Sequence, residues 1–346
     1  MERKVNPTDL YTPSVFVVSS PLQILYSFAI IRQLQIKKYR IVVFYLIGDP
    51  RKEQMLATLD YFGLKNRGYI GLNTFNAYFY KYFSLLHRYN KYKRLFIGDF
   101  RNYYMMLIGS CYVSDNASVV YFDDGNITVT LLKDKYSGLM PHYWSSRLNN
   151  LANKRGFVLN RNLFTIYNDI PNDKYDISSL DLKNVFSLKQ NESKERCGVS
   201  GVFVIGTNIE VYCNEMNISR EVFIQKLDVL FNDLRNKYTD DAIFYIPHGR
   251  DKSYYALEFC EKYGFEFINP KMMVELEILD KGYIPKMVYG FTSTALYNIK
   301  KMYPETRVVN MIFKNTEVND IYRQYLIISE YYQKNGIELE MVSDLC

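Results

Sequence analysis

The chain has 346 residues, 48% of them apolar and 23% charged, which excludes a disordered polymer and fits two domains of common size. A formal net charge of +6 permits attraction to an anionic substrate or membrane surface, but no nucleic-acid-binding motif accompanies it, so nucleic acid is not an expected partner. Residues 1–13 hold no apolar signal core and no apolar run approaches bilayer-spanning length, so a cytoplasmic protein is expected, at most peripheral on the inner face of the plasma membrane.

Strand and helix signals alternate along the chain. Ser14 to Val18 reads as a first strand, broken by Ser19-Ser20-Pro21. Leu22 to Gln33 follows as an apolar-faced helix, with Ser20 able to cap it and Pro21 placed where its missing N–H costs nothing. Arg40 to Ile47 is a second strand, Arg51 to Tyr61 a helix ended near Gly63, and Lys93 to Ile97 a short strand before Gly98-Asp99. Ser118 to Phe122 is a strand that runs into Asp123-Asp124-Gly125. Polar residues thin the pattern between Asn168 and Ser200, where a linker is expected. The same grammar then repeats: strand Val202 to Ile205 before Gly206-Thr207-Asn208, helix Ser219 to Lys237, strand Ala242 to Ile246 before Pro247-His248-Gly249, and helix Ser253 to Tyr263. Strand Met287 to Gly290 leads into Phe291-Thr292-Ser293-Thr294, helix Ala295 to Met302, a last strand Thr306 to Ile312, and a long helix Val318 to Gln333. Such alternation predicts parallel sheets covered by helices on both faces.

Chemistry-bearing residues cluster at strand ends, where α/β proteins place their ligands. Asp123 and Asp124 are adjacent, so they cannot both point one way; one can face a substrate as general base while the other braces the loop. The same three residues also fit a solvated Asp-Gly turn. His248, with Arg250 and Lys252 beside it, can meet a leaving phosphate, or serve as a structural loop histidine. Ser293 and Thr294 precede a helix, whose first N–H groups bind phosphate, and capping is compatible with that role. Gly206 lets a backbone approach a nucleotide, Thr207 stands beside it, and Glu275 can accept from ribose hydroxyls.

Residues 78–94 interleave Lys81, Arg88, Lys91, Lys93 and Arg94 with aromatics, a face that fits either an anionic membrane or plain solvent. The 33 tyrosines suit sugar-facing surfaces or reflect compositional bias. Five cysteines, at 111, 197, 213, 260 and 346, give an odd count with no metal-knuckle spacing, so free thiols are expected. No metal-ligand cluster, Walker loop or nucleophile elbow is visible, so no metal is expected.

Taken in order, Ser19-Ser20-Pro21-Leu22-Gln23, Asp123-Asp124-Gly125, His248-Gly249 and Ser293-Thr294 resemble the motifs of bacterial sialyltransferases of GT-B fold. The lipooligosaccharide sialyltransferases (glycosyltransferase family 52) are the group most resembled, with the polysialyltransferases as relatives. One departure is that Gly249 stands where the family's His-Pro motif has proline. The resemblance implies two Rossmann-like domains facing a central cleft, with a closing C-terminal helix: 1–170 on the acceptor side, 171–200 as linker, 201–346 for CMP. It implies inverting, metal-independent transfer of sialic acid from CMP-sialic acid, with no further cofactor, to a glycan or glycolipid hydroxyl. A galactose-terminated chain of a lipooligosaccharide, O-antigen or capsule is the implied acceptor. Asp124 would be the base and Asp123 its support, His248 would act on the CMP phosphate, and Ser293 and Thr294 would bind that phosphate. Ser20, Pro21, Gln23, Gly206, Thr207, Gly249 and Glu275 would line the substrate and nucleotide site. Gly249 keeps open another nonulosonic acid or another nucleotide sugar as donor; a non-catalytic glycan-binding or assembly protein is the further alternative. Oligomeric state stays open, with a homodimer among the options.

Overall fold

A computed structural model of the chain describes residues 10–72, 91–99, 102–133, 158–172, 175–192, 198–251, 254–314 and 319–342. The chain divides into two compact units, Met1–Leu182 and Lys183–Cys346.

The first unit holds strands β1 (Ser14–Val18), β2 (Tyr39–Leu46), β3 (Arg67–Leu72), β4 (Tyr92–Ile97), β5 (Val113–Phe122), β6 (Val158–Thr165) and β7 (Asp176–Ser179). Its described helices are α1 (Pro21–Gln33), α2 (Arg51–Tyr61), α3 (Tyr103–Ser110) and α4 (Ile127–Leu132). The strands form one parallel sheet in the order β3-β2-β1-β4-β5-β6-β7. All five residues of β1 are buried, as a central strand with both faces covered requires. On one face Phe16 stacks on Phe96 at 4.3 Å with Phe122 beside them. On the other, Val15, Val17, Leu95 and Ile97 pack with Met105 and Ile108 of α3.

The second unit opens with α5 (Leu182–Glu192), a helix that begins at the boundary. It comprises β8 (Ser200–Ile205), α6 (Ile209–Met216), α7 (Arg220–Lys237), β9 (Ile243–Ile246), α8 (Tyr255–Tyr263), β10 (Glu266–Phe267), α9 (Val274–Asp280), β11 (Ile284–Gly290), α10 (Thr294–Met302), β12 (Arg307–Phe313), α11 (Asp320–Lys334) and β13 (Glu338–Val342). Its sheet is again parallel, in the order β10-β9-β8-β11-β12-β13. Tyr212, Phe223, Phe291 and Phe313 meet tilted or edge to face in its core, with ring centroids 5.0–6.0 Å apart.

Several sequence expectations change. The stretch 171–200 is not a plain linker: Asp176–Ser179 pairs with Asn162–Thr165 as an edge strand, and α5 follows. Its polar, half-exposed residues hid it, because an edge strand buries little. β13 comes after the helix that was expected to end the chain; Glu338 and Glu340 blunt this edge with charge. Tyr92–Arg94, the end of the basic aromatic segment, starts β4, where Tyr92 is buried and Arg94 donates to the Ser14 hydroxyl at 3.0 Å. Residues 78–90 of that segment, and Lys252, lie outside the described residues. Tyrosine serves the interior: Tyr26, Tyr167, Tyr212, Tyr289, Tyr297 and Tyr332 are among the largest fully buried side chains. Cys111, Cys213 and Cys260 are free and buried. Among the described residues, no helix is long and apolar enough to cross a membrane.

Arg235, in the last turn of α7, ties the far end of the second unit together. Its guanidinium donates to the carbonyls of Tyr238, Asp241, Tyr263 and Gly264 at 2.8–3.3 Å, and lies 5.4 Å from the Phe265 ring. Arg235→Ala should lower the unfolding free energy by about 2–3 kcal/mol, because it strands half-buried carbonyls. Arg235→Lys should recover only a minor part, since an ammonium lacks the planar fork that meets several acceptors at once. Urea denaturation with an unchanged m-value would measure both.

Candidate active site

Each sheet starts in its middle. From β1 the chain winds outward through β2 to β3, then returns to place β4 on the other side of β1. With right-handed crossovers, the helices after β1 and β4 leave toward opposite faces, which opens a gap above the carboxyl ends of these two strands. The second unit repeats this reversal between β8 and β11.

At the first gap lie the residues after β1, β4 and β5. Ser20 is extended (φ −149°, ψ 156°) and caps α1, its hydroxyl accepting the Gln23 N–H at 3.2 Å, with Pro21 opening the helix. This turns Gln23 inward, where it is 1% exposed. Both ends of its amide are engaged. Oε1 accepts the Ser19 N–H at 2.8 Å, and Nε2 donates to Asp124 Oδ1 at 2.7 Å. Gly98 makes the space: a Cβ there would stand 2.7 Å from Gln23 Cγ and Cδ and 2.9 Å from the Phe122 ring. Gln23 was expected to touch substrate; the structure makes it a brace for Asp124, because its polar atoms are already spent on the protein. Ser20 likewise spends its hydroxyl on the cap, and Pro21 is buried.

The two acids separate sharply. Asp123 has no exposed surface. Its N–H donates to Phe164 O at 3.1 Å, and its Oδ2 accepts the Ile166 N–H at 2.7 Å, so it fastens the end of β5 to the end of β6. Its Oδ1 is buried with no hydrogen-bond partner. Burial therefore pushes the Asp123 carboxyl up to about 7, against the pull of the Ile166 N–H and the Thr165 and Thr128 hydroxyls, and the neighbouring Asp124 charge adds to the rise. Asp124 is half-buried and held by Gln23. Gly125 follows with φ +85°, a conformation that suits glycine and turns the chain into α4.

In the second unit, the order β9-β8-β11 sets His248 and Ser293 on either side of Gly206, in the connections that follow strands about 4.8 Å apart. Gly206 donates its N–H to Ile246 O at 2.8 Å, and a Cβ on it would overlap the Tyr245 hydroxyl oxygen. Thr207 is half-buried beside it, and Asn208 caps α6 by accepting the Val211 N–H at 3.2 Å. His248 is exposed. Its Nδ1 accepts the Arg250 N–H at 3.2 Å and its carbonyl accepts the Asp251 N–H at 2.8 Å. With Nδ1 used as acceptor, a neutral imidazole carries its proton on Nε2. Gly249 is not among the left-handed residues, so the turn does not demand glycine there. Ser293 (φ −94°, ψ 143°) caps α10, its hydroxyl accepting the Ala295 N–H at 3.3 Å; Ser293 and Thr294 are both half-buried.

Glu275 was expected to reach a ribose. It is instead 2% exposed, and its Oε1 accepts the Asn298 Nδ2–H at 2.6 Å, joining α9 to α10. Burial raises its pKa, opposed by the Asn298 bond. Position alone gave no sign that this carboxyl would point inward. Conversely, Gly98 and Asn310 were not singled out for the site. Asn310, one polar residue inside the buried run of β12, was the available signal. Among the described residues, no three His, Cys, Asp or Glu side chains gather as a metal-ligand set.

The Asp123 carboxyl yields a pH dependence. Its pKa lies near 3.8 when exposed and about 7 when folded, so the folded chain binds the extra proton between those values and stability falls as pH rises through that window. Asp123→Asn should remove that fall. Relative to the parent chain, its melting temperature should gain by several degrees at pH 8, where the ionised buried carboxylate costs on the order of a few kcal/mol, and little at pH 5. Melting curves across the pH range would show whether the slope disappears.

No family model matches the chain, and no curated protein sequence does. Solved structures do match. An alpha/beta-galactoside alpha-2,3-sialyltransferase from the luminous marine bacterium Photobacterium phosphoreum superimposes with a TM-score of 0.51 at 12% identity, over 95% of this chain and 98% of that one. A 2,6-sialyltransferase from a Vibrionaceae Photobacterium species, solved with the donor product CMP and the acceptor substrate lactose, gives 0.53 at 13% identity, over 94% of this chain and 78% of that one. Identity at this level carries the fold and not the reaction. With its two parallel sheets clad in helices, the chain has the fold of the GT-B glycosyltransferases and resembles the bacterial sialyltransferases built on it.

Proposed function

We propose that the protein is an inverting, metal-independent glycosyltransferase that moves sialic acid from CMP-sialic acid to a sugar hydroxyl of a bacterial surface glycan. A galactose-terminated lipooligosaccharide, O-antigen or capsule chain is the acceptor in this reading. The observation that carries it is a shared placement. A braced carboxylate stands at the carboxyl edge of one Rossmann-like sheet, and a histidine, a helix-capping serine and the threonine that opens the helix stand at the carboxyl edge of the other. The neighbour solved with CMP and lactose supports the choice of donor and acceptor class.

In this mechanism the acceptor oxygen attacks the anomeric carbon of the sialyl group while its proton passes to Asp124. The bond from that carbon to the CMP phosphate oxygen breaks, and CMP leaves with the bonding pair. One displacement inverts the configuration. The leaving phosphate gains charge, which His248 Nε2–H, the Ser293 and Thr294 hydroxyls and the first N–H groups of α10 can neutralise. Asp123 supports the base from behind. While Asp123 keeps its proton, the pair carries a single negative charge, and that charge sits on Asp124. Gln23 holds the charged carboxylate in one orientation.

A second reading keeps the fold and changes the donor to another nonulosonic acid or nucleotide sugar. The glycine at 249, where the resembled family has proline, favours keeping it. A different nucleotide sugar separates from the first reading in a thermal-shift panel: CMP and CDP stabilise the chain under the first, UDP or GDP under that alternative.

Incubation with CMP-sialic acid and a lactose-terminated acceptor should release CMP and form a sialylated product. Neither product nor donor hydrolysis across a broad acceptor panel would sink the sialyltransferase reading. Asp124→Asn should lower kcat by about a hundredfold or more, with donor KM changed little, because a base matters only as the transition state forms. Steady-state kinetics on folded protein would show the reverse pattern, raised KM at constant kcat, if Asp124 merely binds substrate.

A further inference from the structure

The turn from β11 to α10 contains a strained residue. Thr292 has φ +38°, in the left-handed region that a β-branched side chain enters only when its surroundings force it. Those surroundings can be traced. The Thr292 N–H donates to Asn310 Oδ1 at 2.6 Å, and Asn310 is 1% exposed within the apolar strand β12. Asn310 Nδ2 in turn donates to the Ser329 hydroxyl at 2.7 Å, and that hydroxyl donates to Tyr325 O at 2.7 Å, both residues lying in α11. Further along the same helix, Tyr332 Oη donates to Ser293 O at 3.0 Å, while its ring stacks on Tyr297 of α10 with centroids 5.8 Å apart.

The C-terminal helix thus grips the turn twice, through Asn310 on the amide side of Thr292 and directly on the carbonyl of Ser293. Capping α10 requires neither grip, since the Ser293 hydroxyl already serves the Ala295 N–H. Two bonds from outside the turn, a buried one from β12 and a part-buried one from α11, spent on holding an unfavourable backbone angle, imply that the direction of the turn matters.

We propose that Asn310 and Tyr332 are positioning residues, through which α11 holds the Thr292 turn so that Ser293, Thr294 and the first N–H groups of α10 meet a nucleotide phosphate. This rests on the reading of that turn as the phosphate site. Freed of its two grips, Thr292 would relax toward an ordinary negative φ and rotate the peptide that precedes the cap. Donors fixed in advance bind without an ordering cost, so loosening them should weaken phosphate binding while leaving the nucleoside contacts alone.

The test compares CMP with cytidine, which lacks the phosphate, by titration calorimetry on the full chain. Tyr332→Phe keeps the stacked ring and removes only the hydroxyl; Asn310→Ala removes the other grip. Each should weaken CMP by about fivefold to tenfold, the loss of one well-placed hydrogen bond. Cytidine affinity should stay within about twofold. If Asn310→Ala does not fold, Tyr332→Phe carries the test alone. An equal loss for CMP and cytidine, or no loss for either, overturns the proposal while the donor reading stands. If the parent chain binds UDP in place of CMP, the donor reading fails, and the same split measured between UDP and uridine still decides the positioning role. A parent chain that binds no nucleotide overturns both.

Discussion

The reversal of strand order in each sheet is the constraint on which the rest depends. Parallel strands deliver all their carboxyl ends to one edge, and right-handed crossovers determine which face each following helix takes. Where the order reverses, at β1/β4 and again at β8/β11, the helices that follow the two strands diverge to opposite faces. Polar side chains can collect there. Gln23, Gly98 and Asp124 come from three strand-to-helix connections and meet only because of this arrangement. Gly206, His248 and Ser293 reach the corresponding edge of the second sheet by the same logic.

Within the first unit, burial divides the work of two chemically identical side chains. Asp123 enters the interior, where it ties β5 to β6 and resists ionisation. Asp124, one residue on, stays half-exposed and is steadied by an amide whose other end is anchored to the backbone at Ser19. A missing Cβ at residue 98 is what admits that amide. Burial thereby disfavours charge on Asp123 and leaves it to the more exposed carboxylate of the pair.

Legibility in the sequence followed burial. Central strands such as Ser14–Val18 and Ser200–Ile205 were plain because both faces are covered and apolar residues run continuously. Edge strands were not: Asp176–Ser179 and Glu338–Val342 carry polar residues on exposed surface and read as linker or tail. Capping by Ser20 and Ser293 could be read because it is local, with each serine meeting an N–H two or three residues away. The partnership of Gln23 with Asp124 spans 101 residues and is invisible without the fold. Glu275 shows the opposite failure, a carboxylate at a plausible position whose side chain turns inward to Asn298. The resemblance to GT-B sialyltransferases, argued from short motifs in order, identified the architecture that the solved neighbours share, at an identity too low to transfer residue roles.

The buried tyrosines give the second unit a property that an aliphatic core would lack. Along α11, Tyr325 Oη reaches Glu215 at 2.6 Å, Tyr331 Oη meets Tyr297 Oη at 3.1 Å, and Tyr332 Oη reaches Ser293 O at 3.0 Å. Leucines at these places could slide past one another and repack at small cost. Hydroxyls cannot, because each meets its partner at one height on the helix. A shift of α11 by a single turn, about 5.4 Å, would break all three bonds together. The helix is therefore indexed against α6, α10 and the β11 turn like a key with three cuts, and the unit has one seating for its last helix where an oily interface would permit several.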